Sequence, residues 1–190
     1  VYKPTTKFEY SCLNFITLQN VLQKITGKTL AEYAQENIFD VLGMSSTTYM
    51  ASKKADLIGR VAPTEKQPDG SVLLGEVHDP LARVMNHGNS GNAGVFSSAE
   101  DLAVLAAALM NDGEFEGKQV LGKLTVETMT RVPSEVKQLG RSLGWDNYSP
   151  YASNNGNLFH PTKTFGHTGY TGTSIIVDPV SKTSVILLTH

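Results

Sequence analysis

Apolar residues recur at intervals of three and four at Leu13, Ile16, Leu18, Val21, Leu22 and Ile25, a period that predicts an amphipathic helix ended by Gly27. Thr29 with Glu32 three residues later has the spacing of a capping box, so a second helix is expected through Tyr33 and Ile38 to about Phe39. From Gly43 to Asn92 the chain is rich in Ser, Thr, Pro, Asp and Gly and keeps no sustained period. So long an irregular stretch is expected to be functional or tied down by the rest of the fold. Ser98 can cap the amide of Asp101, with Leu102, Leu105, Ala106, Leu109 and Met110 on one face of the next helix and Asp112-Gly113 at its end. A further helix is expected from Thr125 to Arg131, stopped by Pro133. Gly140 to Trp145, Thr173 to Val177 and Thr183 to Leu188 are short β-branched or aromatic runs, the last two joined like a hairpin by Asp178-Pro-Val-Ser-Lys182. Residues 1–135 thus read as mostly helix and loop and residues 136–190 as antiparallel strands.

Composition narrows the function classes. With 190 residues, 40% hydrophobic and 18% charged, the chain can bury one sizeable core. A net charge of −2 offers no basic stripe for phosphates, so nucleic acid is not an expected partner. The longest apolar runs, Leu102 to Met110 and Val185 to Leu188, fall well short of the roughly 20 residues needed to span a bilayer. One cysteine, Cys12, excludes an intrachain disulfide framework and a thiolate zinc cluster. Val1-Tyr2-Lys3-Pro4 lacks the basic and apolar regions of a signal peptide, and Thr183 to His190 stops on an apparent strand, so a piece of a longer chain is expected.

The segment Thr164-Phe-Gly-His-Thr-Gly-Tyr-Thr-Gly-Thr173 leads straight into the strand Ser174 to Val177. Glycines on either side of His167-Thr168 let a strand edge approach a substrate without Cβ atoms in the way. Such an edge can offer a backbone N–H to a developing oxyanion while His and Thr reach the substrate's polar end. Followed by Ile175-Ile-Val-Asp-Pro179, the segment resembles the third-motif strand of the serine β-lactamase and penicillin-binding-protein-like hydrolases, where Lys-Thr-Gly or His-Thr-Gly faces the nucleophile. The resemblance assigns His167, Thr168 and Gly169 to that motif and the oxyanion amide to Tyr170.

Upstream, Pro4-Thr-Thr-Lys-Phe-Glu-Tyr-Ser-Cys12 and the helix after it resemble the family's second motif, Tyr-Ser-Asn. This makes Tyr10 the general base that takes the nucleophile's proton, a role that needs a cation nearby because a phenol starts near ~10. Cys12 stands where Asn is usual, and a thiol is a poorer donor to a substrate carbonyl than an amide. The block Gly91-Asn-Ala-Gly-Val-Phe-Ser-Ser-Ala-Glu-Asp101 resembles the family's Ala-Gly-Gly-Leu-type turn into a helix. Gly43-Met44 and Leu143-Gly-Trp145 also fall in order. Loops at this place in the relatives line the cleft, which gives His78 and Asn86 a substrate-facing role by resemblance.

The first motif, Ser-x-x-Lys, should precede Tyr10, and only nine residues do. Ser134-Glu-Val-Lys137 spells it on the wrong side of Tyr10, after Pro133, and reads as coincidence. Gly140-Arg-Ser-Leu-Gly144 spells a nucleophile elbow, but Trp145-Asp-Asn-Tyr-Ser-Pro150 does not begin the required helix. Asn147-Tyr-Ser149 is a glycosylation sequon weakened by Pro150. His78 and His87 have no neighbouring His or Cys at ligand spacing, so no metal site is expected.

The resemblance implies an α/β (α+β) fold, the C-terminal portion of one lactamase-related domain, lacking the N-terminal strands, the nucleophile helix and the C-terminal helix. It implies a serine hydrolase acting through an acyl-enzyme on β-lactams, D-amino-acid peptides or esters, with no cofactor and a periplasmic or secreted location. His in place of the commoner Lys shifts the expectation towards esterase and peptidase relatives. The Cys12 departure keeps open a non-catalytic module for a peptidoglycan or glycan-type ligand. The missing N-terminal part of the same domain is the expected partner; without it an unpaired strand edge and an apolar helix face would be exposed, and self-association through that edge is expected.

Overall fold

A computed structural model describes residues 2–3, 6–152 and 158–189. Val1, Pro4 and Thr5, which belong to the segments compared above with a signal peptide and with the second motif, lie outside the described residues, as does His190.

Helix α1 is Leu13–Thr26; it ends at Gly27, whose φ of +69° is the left-handed cap conformation. Helix α2, Leu30–Ala34, starts with both halves of the capping box: the Glu32 N–H donates to Thr29 Oγ1 (3.2 Å) and the Thr29 N–H to Glu32 Oε2 (2.8 Å). It continues through one wide π turn, Gln35–Phe39, into α3, Asp40–Leu42. Strands β1 (Thr48–Tyr49), β2 (Pro63–Lys66), β3 (Val72–Leu74) and β4 (Val95–Phe96) are short, and β1 pairs with β4 and β2 with β3, both antiparallel. Helix α4 is Ala99–Met110, capped at the Asp101 N–H by Ser98 Oγ (3.2 Å). After it come β5 (Glu114–Phe115), β6 (Lys118–Gln119) and α5 (Lys123–Thr130). Strands β7 (Phe165–Thr168), β8 (Ser174–Asp178) and β9 (Thr183–Leu187) form one antiparallel sheet in the order β7-β8-β9. Gly140 to Trp145, read as a strand from sequence, is a tight turn closed by a single bridge between Arg141 and Asp146.

The chain forms two compact units: one of Val1–Tyr10, Ala103–Gly169 and Thr173–Leu187, the other of Ser11–Leu102, Tyr170–Gly172 and Leu188–His190. In the second unit the irregular stretch is tied down by buried polar side chains as well as by the short β1–β4 and β2–β3 pairings. Asp101 Oδ2 accepts from the Ser46 N–H (2.8 Å) and Thr47 Oγ1 (2.7 Å). Gln19, buried on α1, donates from Nε2 to the Asn89 carbonyl (2.8 Å) and accepts the Gly91 N–H on Oε1 (2.9 Å). Gly91 packs against the Phe15 carbonyl so closely that a Cβ would collide with it. Gln19→Leu therefore leaves the half-buried Gly91 N–H and Asn89 carbonyl without their partner and should cost about 1–3 kcal/mol in urea unfolding.

The first unit is built on an apolar cluster of Ala106 and Leu109 from α4, Val126 from α5, Phe165 from β7 and Val177 from β8, with Trp145 and Met129 packed around it. The hairpin between β8 and β9 is held by Asp178, 2% exposed, whose carboxylate accepts from Ser181 Oγ (2.6 Å) and from the N–H groups of Val180 (3.2 Å) and Ser181 (3.3 Å). Burial pushes this carboxyl up, and those hydrogen bonds, with one from the His160 backbone, outweigh burial and hold it below its ordinary value. Its contribution is then complete above about pH 4, the ordinary carboxylate range, and is lost as pH falls through the lowered folded value. Asp178→Ala should lower stability at pH 7 by about 1–3 kcal/mol. It should also flatten the loss of thermal stability between neutral and acidic pH that the unmodified protein shows.

Candidate active site

Strand β7 carries the His-Thr of the third-motif segment in the first unit. Its register against β8 sets His167 opposite Ile175 and Thr168 opposite Ser174. On its other side Gly166 is bridged to Asp146 by two backbone bonds, Asp146 N–H to Gly166 O and Gly166 N–H to Asp146 O, each 2.9 Å. Strand β7 is therefore pinned on both sides at the residue before His167. Gly169 donates its N–H to the Thr173 carbonyl (2.7 Å), and Thr173 Oγ1 fills the place where a Cβ would stand. The glycine requirement at 169 thus has a source within the protein, in addition to the close substrate approach expected from sequence.

Tyr10 lies in the same unit. Its ring centroid is 6.5 Å from that of His167, so the tyrosine of the second-motif segment and the histidine of the third, 157 positions apart in the chain, come together. Tyr10 is 52% exposed. His167 uses both ring nitrogens: Nδ1 lies 2.7 Å from the Thr168 carbonyl and Nε2 lies 3.0 Å from an Arg141 guanidinium nitrogen. Arg141 also meets Asp146 Oδ2 (3.1 Å) and packs over the rings of Phe8 (4.9 Å) and Tyr10 (6.0 Å). Asp146 is buried and accepts from Ser149 Oγ (3.0 Å).

Arg141 and Asp146 were not legible as site residues. They sit in and beside the Gly140-Arg-Ser-Leu-Gly144 string, whose literal pattern pointed at Ser142 instead. In the structure that string is a tight turn with the Ser142 N–H bonded to the Trp145 carbonyl (3.1 Å), not a strand-turn-helix elbow. The nearby Asn147 of the sequon is fully buried, with Nδ2 donating to the Thr130 (3.0 Å) and Thr164 (3.3 Å) carbonyls, so its amide is not presented for glycosylation in this fold.

The second unit holds the remaining candidates. Cys12 is a partly exposed free thiol at the N-cap of α1 and makes no side-chain cap there. Tyr170, 69% exposed, meets the His78 ring edge-on at 4.7 Å. His78 is further held by Glu65, whose Oε1 lies 3.7 Å from Nε2, while Arg83 bridges Glu65 Oε2 (3.4 Å) and the Val77 and His78 carbonyls (2.7 and 3.0 Å). Asn86 is in a different environment: its Nδ2 donates to Ser90 Oγ (2.7 Å), Ser90 in turn bonds Asn92, and Asn92 bonds Asp79. That chain of bonds gives Asn86 a loop-bracing role, while His78 is beside Tyr170. Among the described residues no group of three or more His, Cys, Asp or Glu is arranged to hold a metal, and no helix is long and apolar enough to cross a membrane.

Known proteins resemble this chain over its whole length. A family model described as Beta-lactamase matches residues 1–190. A protein of Escherichia coli (strain K12) named "Putative D-alanyl-D-alanine carboxypeptidase" is 32% identical over 203 residues, which cover 100% of this chain and 46% of that protein. An N-acetylmuramyl-L-alanine amidase of Bacillus subtilis (strain 168) is 31% identical over 210 residues, covering 100% of this chain and 45% of the amidase. The octameric penicillin-binding protein homologue from Pyrococcus abyssi superposes with a TM-score of 0.64 at 20% identity, over 98% of this chain and 39% of that one. The chain spans about half the length of the curated relatives it matches. With its tyrosine and His-Thr-Gly segments folded as above, this chain belongs to the beta-lactamase family and carries the fold of the penicillin-binding-protein-like serine hydrolases.

Proposed function

We propose that this chain supplies the base and the substrate-facing strand of an acyl-transfer site, and that a Ser-x-x-Lys nucleophile on a preceding segment of the same protein completes it. The reaction is hydrolysis of an amide or ester: the serine oxygen attacks the carbonyl, Tyr10 accepts its proton, the leaving amine or alcohol departs with a proton returned to it, and water then attacks the acyl-serine, which releases the acid and restores the serine hydroxyl. His167 and Thr168 meet the polar end of the substrate, and the Tyr170 amide receives the oxyanion. The observation that most supports this is the approach of Tyr10 to His167, because it brings the tyrosine of one motif and the histidine of the other together within one unit. The names of the relatives, a carboxypeptidase and an amidase, favour amide substrates of cell-wall type.

The preceding segment also explains the surface. Leu13, Leu18, Val21 and Ile25 of α1 are exposed, Ile25 by 79%, and among the described residues β9 pairs only with β8. Both features suit coverage by the rest of the domain. The full-length protein should hydrolyse p-nitrophenyl esters, nitrocefin or a D-Ala-D-Ala peptide above the uncatalysed rate. Background rates on all three would sink the proposal. They would favour the second reading, a binding module for a peptidoglycan or glycan-type ligand, which the Cys12 thiol in the place of an amide donor supports.

A further inference from the structure

We infer that Arg141 is a positioning residue of this site, which locks His167 as its Nδ1–H tautomer and links it to Tyr10. A guanidinium has five N–H donors and no acceptor, and a carbonyl oxygen accepts only. His167 Nε2, 3.0 Å from Arg141, must therefore be the bare, accepting nitrogen, and Nδ1, 2.7 Å from the Thr168 carbonyl, must carry the proton. No other arrangement of protons satisfies both contacts.

The guanidinium is itself held. One nitrogen meets Asp146 Oδ2 at 3.1 Å while the other meets His167, and Asp146 is fixed in turn by Ser149 and by its two backbone bonds to Gly166. The guanidinium carbon lies 6.0 Å from the Tyr10 ring centroid and 4.9 Å from that of Phe8. At 14% exposure the side chain is mostly withdrawn from water, where such contacts hold a geometry most firmly. One side chain thus touches the tyrosine of one motif segment and the histidine of the other. The fixed positive charge of this corner is the Arg141 guanidinium, which has donors only.

The kinetic part of the test rests on the acyl-transfer reading and the spectroscopic part does not. In the full-length protein with 15N-labelled histidine, long-range nitrogen–proton correlations should show the His167 ring, assigned with His167→Gln, as the Nδ1–H tautomer at neutral pH. Arg141→Gln should give a mixture of tautomers, and Arg141→Lys should restore part of the bias. On a p-nitrophenyl ester, Arg141→Gln should lower kcat about 10- to 100-fold with KM changed less than about threefold, and Arg141→Lys should recover part of the loss. An Nε2–H or doubly protonated ring in the unmodified protein would overturn the inference. An unchanged tautomer in folded Arg141→Gln would do the same. Absence of hydrolysis together with an Nδ1–H ring would count against the acyl-transfer reading alone.

Discussion

Tyr10→Phe in the full-length protein should reduce kcat/KM for an ester or amide substrate by about 100- to 10,000-fold, the range lost when a positioned general base is removed. The substitution deletes one oxygen. The ring that faces His167 and lies beside Arg141 remains, so the loss should fall on kcat. A fall in KM-related binding with kcat unchanged would place the phenol in substrate recognition instead. Equal rates for the two proteins would remove Tyr10 from the chemistry altogether.

Phe165→Ala should produce the largest loss of stability, about 3–5 kcal/mol, a substantial part of the 5–15 kcal/mol that holds an ordinary domain together. Phe165 is 1% exposed, meets the Trp145 ring edge-on at 5.0 Å, and lies in one cluster with Leu109, Val126 and Val177. Truncation leaves a cavity that α4, α5 and β8 cannot jointly close, because each is fixed by its own backbone bonds. Phe165→Leu fills most of that volume and should cost markedly less, as urea unfolding would show. Since His167 lies two residues further along the same strand, Phe165→Ala should also lower activity at temperatures where most of the protein is still folded.

The features legible in the sequence were those whose physics is local. The Thr29–Glu32 box, the Ser98 cap and the Gly27 helix stop each depend on residues within four positions, and each appears in the structure. The β8–β9 hairpin was legible for the same reason, from two β-branched runs and a turn rich in Asp, Pro and Ser. The π turn at Gln35–Phe39 was not, since periods of 3.6 and of 4.4 residues diverge little over a single turn. Gln19 gives no local signal in the sequence, because its partners lie 70 and 72 positions away. Within the candidate site, Tyr10 and His167 were found through their motifs, whereas Arg141 belongs to no motif and meets His167 across 26 positions. His78 and Asn86 looked alike in sequence. Packing separated them, setting one against Tyr170 and tying the other to Ser90.

The most direct test of the account is to trap the acyl-enzyme. The full-length protein, treated with a fluorophosphonate or a fluorescent penicillin and mapped by peptide mass spectrometry, should carry the label on one serine upstream of Val1, three residues before a lysine. The label should be lost or strongly slowed in Tyr10→Phe. Stable labelling of a serine within these 190 residues, such as Ser134 or Ser142, or no labelling of the folded protein by either probe, would contradict it.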